Sequence, residues 1–469
     1  MNHDPAPRSP RSADPGRLGD PGFLARHGVR LAYVAGAMGK GIASAPWVAR
    51  LARAGILSFF GAGGLPIGQT RAAIDAIRAA TAPGDPFGVN FLHAPIAPGH
   101  EDALADLLIE RGVTRIEASA YVRPTPALVR YRLAGLRRDA DGRPHAAHRI
   151  MAKLSRPEVA RHFLAPPDPA IVAALHRAGR IDDEARDLAP LLPLADDICA
   201  EADSGGHTDR RVALTLVPHL RRVRDEAAQS FHAAARVGIG AAGGIGAPEA
   251  AAAAFMLGAD FVLTGSINQC TPEAGISDAA KEMLAAADLA DFDIAPAGDM
   301  FEIGARVQVL RRGSLFAARA NRLYELWRTH GGIDEIPPAA LAEIETRYFG
   351  RGVAEVWAET AAHYAAAAPS ELAEAEANPR KKLAMIFRWY FVHASRLAIE
   401  GRVEERVNFQ IHAGPAMGAA NRWLAGTPLA DWRARHPDIL ADRLMGEAAG
   451  VFASRLAAFQ PGLRAVTST

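Results

Sequence analysis

Short apolar runs alternate with longer amphipathic segments between about residue 29 and residue 265 of the chain. The short runs have the composition of buried strands, and the Ala-, Leu- and Arg-rich segments between them have the spacing of helices. Eight strands are predicted, at Leu31–Ala35, Ile56–Phe60, Phe87–Leu92, Arg115–Ala118, Arg149–Leu154, Asp197–Ala200, Val237–Ala241 and Phe261–Thr264. Eight strands with intervening helices in about 240 residues fit an α/β fold of the (β/α)8 TIM barrel type better than an open sheet.

The interval between the fifth and sixth predicted strands is too long for a single connection. It contains a proline-rich stretch and two helical patterns, so we predict a helical insertion over about 155–196 at the rim of the barrel. Residues 1–22 are rich in Pro and lack the apolar core of a signal peptide, which predicts a disordered leader. The barrel itself is expected to occupy residues 23–270.

The pattern changes beyond the eighth predicted strand. Residues 271–330 are expected to form barrel-completing loops and helices, with an irregular loop at Ala295–Gly304. From Ala305 onward the chain has almost continuous helical spacing. Residues 331–469 therefore predict a C-terminal helical region that forms an all-helical cap.

Charge and cysteine content narrow the classes of function. The chain has 53 Lys+Arg and 52 Asp+Glu, a net charge of +1, which gives no overall field to hold nucleic acid or an anionic membrane. No apolar run reaches the roughly 18 residues of a membrane span. Cys199 and Cys270 provide neither a disulfide framework nor a zinc site. We expect a soluble cytoplasmic protein without a metal.

A glycine-rich segment at the seventh strand matches the spacing G-x-G-x-x-G. A dinucleotide-binding fold needs an acidic residue at the far end of the next strand, whereas Asp260 precedes that strand. A better interpretation is the phosphate site that barrels form from the loops after strands seven and eight. The backbone amides of Gly243 and Gly244, with Gly265 and Ser266 one unit later, are the predicted phosphate contacts.

Two further segments place small or polar residues at the carboxyl ends of strands. Gly36, Ala37 and Met38 follow the first strand, where small residues would let the backbone lie against a flat ring on which Met38 packs. Asn90 interrupts the apolar third strand, and its amide can pair with both donor and acceptor edges of a heterocycle. Alternatively, these are an ordinary βα turn and a turn-capping Asn.

Two residues are candidates for catalysis. His207 follows Gly205 and Gly206 after the sixth strand, where a histidine is well placed for proton transfer. Lys153 ends the fifth strand and can contact a phosphate or polarise a carbonyl. The alternatives are a structural histidine and a lysine whose charged end reaches solvent.

The order of these motifs resembles the flavin barrels that include nitronate monooxygenase and the flavin-dependent enoyl-acyl-carrier-protein reductase. The matching segments are Phe87–Asn90, Ser204–His207, Ala241–Ile245 and Leu257–Ser266. The resemblance implies that the corresponding loops bind FMN, with Gly243, Gly244, Gly265 and Ser266 at its phosphate. The usual Glu-Ala-Gly-Gly-His reads Asp-Ser-Gly-Gly-His here, so the role of the histidine in nitronate oxidation need not carry over.

The remaining motifs resemble one branch, the PfaD-type trans-acting enoyl reductases of polyunsaturated fatty acid and polyketide synthases. They lie at Pro296–Ala305, Val307–Gly313, Ala318–Asn321, Phe387–His393 and Asn408–Gly418. The resemblance implies reduction of a 2-enoyl thioester on an acyl carrier protein, with hydride passing from NADPH (or NADH) through FMN to the β-carbon.

In that reaction His207 is the candidate proton donor or oxyanion partner. The insertion and the helical cap would wall the acyl channel and receive the carrier protein, and a homodimer is a compatible assembly. Two other functions stay open: a nitronate monooxygenase-type flavin oxidase, and a non-catalytic flavin-binding component of a synthase.

Overall fold

Eight parallel strands close into a barrel in the computed structural model, which describes residues 14–466 except 96, 98, 203, 207 and 208. The strands are β1 Tyr33–Ala35, β2 Leu57–Phe60, β3 Phe87–Leu92, β4 Arg115–Ser119, β5 Arg149–Leu154, β6 Asp197–Glu201, β7 Gly238–Ala242 and β8 Val262–Thr264. Each pairs with the next, and β1 pairs with β8. Apolar residues of the strands are buried on both faces, as parallel strands covered by helices require. The predicted TIM barrel is confirmed.

Helices surround the barrel and make up most of the chain beyond β8. Those before β8 are α1 Pro21–His27, α2 Ala45–Arg53, α3 Ile67–Ala79, α4 His100–Glu110, α5 Pro126–Leu133, α6 Pro157–Leu164, α7 Pro169–Arg177, α8 Asp183–Leu188, α9 Ala213–Ser230 and α10 Pro248–Met256. Those after β8 are α11 Ser266–Gln269, α12 Asp278–Ala285, α13 Phe316–Thr329, α14 Pro338–Glu343, α15 Val353–Ala367, α16 Pro369–Ala377, α17 Pro379–Glu400, α18 Ala416–Leu424 and α19 Pro437–Val466.

Short 3-10 and π-helical turns join these elements. The 3-10 helices are Pro15–Arg17, Ala189–Leu191, His232–Arg236, Leu289–Asp291, Ile333–Glu335, Val403–Asn408, Pro428–Ala430 and Trp432–Ala434, and Ile344–Phe349 is π-helical.

The described part of the predicted leader, residues 14–22, is ordered rather than disordered. The side chain of Asp20 accepts hydrogen bonds from the Gly22 and Phe23 amides and so caps α1. The Asp20 amide donates to the Asp260 carbonyl, and Leu18 is buried in the main core. Contacts distant in sequence outweigh the proline-rich local composition. The rest of the leader, residues 1–13, lies outside the described residues.

Two helices of the predicted insertion, α7 and α8, lie at the amino-terminal end of the barrel. Of its helices, α6 is the regular barrel helix that packs on α9, and α7 packs on α5. Glu184 in α8 accepts a hydrogen bond from the Arg138 amide, and Asp182 pairs with Arg137 at 2.7 Å. Arg137 and Arg138 precede β5, so α7 and α8 cover the amino-terminal ends of the strands. A segment between a helix and the next strand runs along this face, so α7 and α8 lie away from the carboxyl-terminal ends of the strands, where the acyl channel is expected.

Residues predicted as a loop followed by helix form an antiparallel hairpin of β9 Phe292–Pro296 and β10 Arg306–Leu310. The hairpin packs with α13, α15 and α17 around a second core, separate from the barrel core, that includes Phe301 and Phe316. A two-stranded hairpin needs such packing to be stable, and Val307 and Val309 supply its buried face. The helical character of the C-terminal region is otherwise confirmed.

The barrel does not end at residue 270 as predicted. Helix α19 packs against α10 and α2, which is the position of the eighth outer helix. Two ion pairs join it to the barrel, Arg30 with Asp442 at 2.5 Å and Arg50 with Asp438 at 2.6 Å. The segment from 266 to 436, here called the inserted region, therefore interrupts the last β/α unit. Among the described residues, no helix is long and apolar enough to cross a membrane.

Candidate functional site

Three charged side chains meet at the carboxyl-terminal ends of β4, β5 and β6. We call this end of the barrel, where the loops after all eight strands lie, the barrel mouth. Lys153 Nζ lies 3.2 Å from Glu117 Oε1 and 3.1 Å from Glu201 Oε1. The Glu117 side chain is fully buried, and those of Lys153 and Glu201 are 13% and 12% exposed. Glu117 pairs in register with Met151, and Lys153 pairs with Cys199, so each next member of the cluster lies two residues further along the neighbouring strand, on the same face.

Burial and charge shift the pKa values of this cluster in opposite ways. Burial by itself lowers the pKa of Lys153, but the attraction of Glu201 and Glu117 outweighs it, and the pKa is raised above the ordinary value. Burial raises the pKa of Glu117, an effect that Lys153 and the Ala37 amide only partly offset. The two carboxylates thus favour the protonated form of Lys153.

Asn90 is held against the neighbouring strand by both of its amide hydrogens. Nδ2 donates to the Glu117 carbonyl at 3.1 Å and to Ser119 Oγ at 3.0 Å. The carbonyl can only accept, so the orientation of the amide is fixed. Oδ1 faces the glycine loop after β2, 3.2 Å from where a β-carbon of Gly63 would be. Asn90 therefore offers a ligand an acceptor, not the paired donor and acceptor that we predicted.

The loop after β1 is tied to the charged cluster. The Ala37 amide donates to Glu117 Oε2 at 2.7 Å. A β-carbon at Gly36 would lie 2.6 Å from Leu263 Cδ2, so any larger residue there would have to displace that side chain of β8. Met38 is buried, and its carbonyl would lie 1.7 Å from a β-carbon at Gly61. The loop after β2 is thereby pressed against this loop.

The loops after β7 and β8 have the shape that a phosphate needs. Gly243 and Gly244 turn the chain with φ of 90° and 74°. A β-carbon at Gly244 or at Gly265 would meet no atom within 4 Å, so both backbones face open space. Ser266 begins α11 directly after Gly265. The open space at Gly244 and Gly265 leaves room for an anionic group between the two loops.

A segment of the inserted region lies on these loops, and sequence reasoning did not place it there. We call Gln410–Ala416 the return segment. The Gly414 amide donates to Ser266 Oγ at 3.1 Å, and Gln269 Nε2 donates to the His412 carbonyl. A β-carbon at Gly246 would lie 2.0 Å from the Ala416 carbonyl oxygen. The loops after β7 and β8 are thus covered by chain that is about 150 residues further on.

The loop after β6 contributes its two glycines to different neighbours. A β-carbon at Gly205 would lie 3.2 Å from Ala413 of the return segment, and one at Gly206 would lie 2.9 Å from Glu201 Oε1. The Gly206 amide donates to Ser204 Oγ. His207, the predicted proton donor, lies outside the described residues.

The most important residue that sequence reasoning missed is Glu117. It lies between Ile116 and Ala118 in the middle of β4, and it pairs in register with Asn90. Glu201 is the last residue of β6 and the first of the polar segment that follows it, but sequence reasoning assigned it no role. Tyr33 of β1 is a third buried polar residue to which no role was assigned. Its hydroxyl lies 2.5 Å from Thr264 Oγ1, and burial raises its pKa to about 12.

Two family models match the chain. The nitronate monooxygenase model matches residues 24–312. The model of the inserted helical domain of [acyl-carrier-protein] S-malonyltransferase matches residues 330–409. The first covers the eight barrel strands and the β9–β10 hairpin, and the second covers α14 to α17 of the inserted region.

Relatives and a solved structure resemble the chain over nearly its whole length. It is 48% identical over 439 residues to the polyketide biosynthesis protein ThaF of Burkholderia thailandensis, covering 94% of this chain and 37% of that protein. It is 42% identical over 418 residues to a component of the polyunsaturated fatty acid synthase of a Thraustochytrium species, covering 88% of this chain and 28% of the relative. The chain therefore spans well under half the length of these relatives.

The solved structure is the enoyl reductase domain of MlnA from the macrolactin biosynthesis cluster of Bacillus amyloliquefaciens. The TM-score is 0.91 at 40% identity, covering 94% of this chain and all of that domain. The family match and the likeness to this domain over nearly the whole chain agree. The chain belongs to the nitronate monooxygenase-like barrel family, in the branch of the PfaD-type trans-acting enoyl reductases.

Proposed function

We propose that this protein is an FMN-dependent enoyl reductase that acts in trans on 2-enoyl thioesters bound to an acyl carrier protein, in polyketide or polyunsaturated fatty acid biosynthesis. The observation that carries the proposal is the likeness to the whole MlnA enoyl reductase domain. NADPH (or NADH) is the proposed hydride donor, and the carrier protein and its synthase are the proposed partners.

The residues at the mouth fit a flavin mononucleotide. Gly243, Gly244, Gly265 and Ser266 would hold its phosphate through backbone amides, a role that the open space beside Gly244 and Gly265 supports. Asn90 Oδ1 would accept a hydrogen bond from the ring, and the loop at Gly36, Ala37 and Met38 would lie along it. When bound, the flavin supplies two-electron chemistry between a nicotinamide and the β-carbon of the enoyl thioester.

The chain itself must stabilise charge and supply a proton. As the β-carbon is reduced, negative charge develops on the thioester oxygen and the α-carbon must be protonated. Lys153 is the proposed electrostatic partner of that oxygen, because it stays positively charged beside Glu117 and Glu201. Its raised pKa makes it a poor proton donor, so we assign that role to His207, the candidate that the sequence offers after β6. Gly205 and Gly206 would bring its loop close to the cofactor.

An anaerobic spectral titration tests the proposal. The purified protein should show a flavin absorption band at ~450 nm. The band should bleach when NADPH is added and return when a crotonyl thioester on a carrier protein is added. Return of the band only with oxygen or a nitronate would indicate a nitronate monooxygenase-type oxidase instead. A colourless protein that still binds carrier protein would indicate a non-catalytic component of the synthase.

Replacement of Lys153 tests its assigned role. Lys153→Met should keep the flavin and its reduction by NADPH but lower enoyl turnover by roughly 10²–10³, the usual cost of losing one oxyanion partner. Lys153→Arg, which keeps the charge, is the matched control and should retain more activity. Normal turnover of Lys153→Met would remove Lys153 from the mechanism.

A further inference from the structure

The charged cluster at the mouth contains more negative than positive charge. Among the residues that the structure describes, Glu117 and Glu201 share one ion-pair partner, Lys153. All three side chains are at least 87% buried, since the most exposed has 13% of its surface accessible. A buried lysine without partners tends to lose its proton. Here two carboxylates lie 3.1 and 3.2 Å from Lys153 Nζ, one on each neighbouring strand, and their charge stabilises the protonated amine against the effect of burial.

The two carboxylates also connect the lysine to two loops of the mouth. Glu117 uses its other oxygen, Oε2, to accept the hydrogen bond from the Ala37 amide in the loop after β1. Glu201 Oε1 lies beneath Gly206, where any β-carbon would come within 2.9 Å. Lys153 is therefore bound by one carboxylate from β4 and one from β6. Each of these carboxylates also lies next to a loop, at Ala37 or at Gly206, that is proposed to line the cofactor.

We propose that Glu117 and Glu201 are positioning residues that hold Lys153 as a permanent cation at the centre of the mouth. They act on the reaction through Lys153. The significance of that cation for enoyl reduction rests on the proposed function, whereas the state of the lysine does not.

The groups that face Lys153 among the described residues are few. Besides the two carboxylates, Cys199 is its register neighbour on β6, and burial raises the pKa of that thiol well above its ordinary value. The thiol is therefore neutral and cannot replace a carboxylate. Loss of either glutamate charge removes one of the two charges that oppose burial, and the proton affinity of Lys153 must fall.

The composition of the chain allows a direct measurement. It contains five lysines, Lys40, Lys153, Lys281, Lys381 and Lys382, so lysine-specific isotope labelling gives few signals. The side-chain signal of Lys153, assigned with Lys153→Arg, is followed against pH in the full-length protein. In the unmodified protein it should remain that of a protonated amine beyond pH 10.5, the ordinary lysine value.

Glu117→Gln and Glu201→Gln should each move the titration of Lys153 to lower pH. Glu101→Gln is the matched control, because Glu101 is also a largely buried carboxylate near the mouth but binds His93, Tyr121 and Thr125 rather than a lysine. An unchanged titration in both Gln variants overturns the proposal, and so does an unmodified Lys153 that titrates below pH 10. If one variant fails to fold, the other decides.

The kinetic consequence separates this proposal from the proposed function. In a folded Gln variant, kcat/KM for the enoyl thioester should fall about tenfold per pH unit above the new Lys153 pKa. The same fall must be absent when Lys153→Met is combined with the Gln substitution. A fall that persists in the double variant overturns the proposal. If the unmodified protein reduces no enoyl thioester, the proposed function fails, while the lysine titration still decides the state of the cluster.

Discussion

Buried carboxylates have different tasks at the two ends of this barrel. At the mouth, Glu117 and Glu201 surround one lysine. At the amino-terminal end, Asp197 accepts a hydrogen bond from Arg26 at 2.8 Å and lies 2.7 Å from His27 Nε2. Residues that stabilise the fold and residues that perform chemistry usually lie at opposite faces of a TIM barrel. Substitutions at the two ends should therefore differ in what they change.

Replacement of Asp197 should lower stability without affecting the mouth. Burial raises the pKa of Asp197, but attraction to His27 and Arg26 outweighs it, so the pKa is lowered. Such a group stabilises the fold above its unfolded pKa, about 3.9, and the contribution is lost as the pH falls through the folded pKa. Asp197→Asn should cost about 3 kcal/mol at pH 7. Thermal melts of both proteins should differ at pH 7 and converge only below about pH 4.

A pair of glycines tests the phosphate loops. Gly244 and Gly28 have φ of 74° and 66°, and a β-carbon at either would meet no atom within 4 Å. Each alanine variant should have the same backbone strain of about 1 kcal/mol. Only Gly244→Ala should weaken flavin binding, by at least about tenfold, because its β-carbon would enter the anion site. Equal flavin affinity in the two variants, measured by titration of the apoprotein, would contradict the assignment.

At the level of elements, periodicity identified the barrel strands but not the hairpin. The predicted Arg115–Ala118 and the observed Arg115–Ser119 differ by one residue, because a buried apolar strand is evident in the sequence. Strand β10 was predicted as helix although Val307 and Val309 alternate with polar residues. A short strand with one partner gains its stability from α13 and α17, which the local pattern does not contain.

The close approach at Gly246 makes the return segment testable. Gly246→Ala should displace the segment, because its β-carbon would overlap the Ala416 carbonyl, and flavin content should fall. Gly446→Ala in α19 is the control: a β-carbon there meets nothing, and the helix should gain up to about 1 kcal/mol. Limited proteolysis should cut near residues 410–416 only in the first variant. Retained flavin and an uncut segment would show that the segment is not part of the site.

For the whole molecule, the decisive feature is that the inserted region separates β8 from α19. Residues of α19 such as Leu440, Leu444 and Met445 are buried in the barrel core, although at least 175 residues lie between them and β8. A barrel ending near residue 270 would lack its eighth outer helix. The barrel and the inserted region are therefore parts of one folding unit in which the chain leaves the barrel and returns.

Truncation tests this arrangement. A chain that ends at residue 436 should be poorly soluble and bind hydrophobic dyes, because the faces of α2 and α10 lose their cover. A chain that ends at residue 459 keeps the buried part of α19 and should melt close to the full-length protein. A stable, cooperative barrel from the shorter chain would contradict the structure.

The sequence by itself determined the barrel, its eight strands and the family resemblance, because those depend on periodicity and on motifs within single β/α units. It also located the glycine loops, whose lack of side chains is visible residue by residue. The tertiary structure decided the face on which the insertion lies, the partners of Lys153, and the cover that Gln410–Ala416 provides. These depend on contacts between segments tens to hundreds of residues apart, and only the closed barrel brings those segments together.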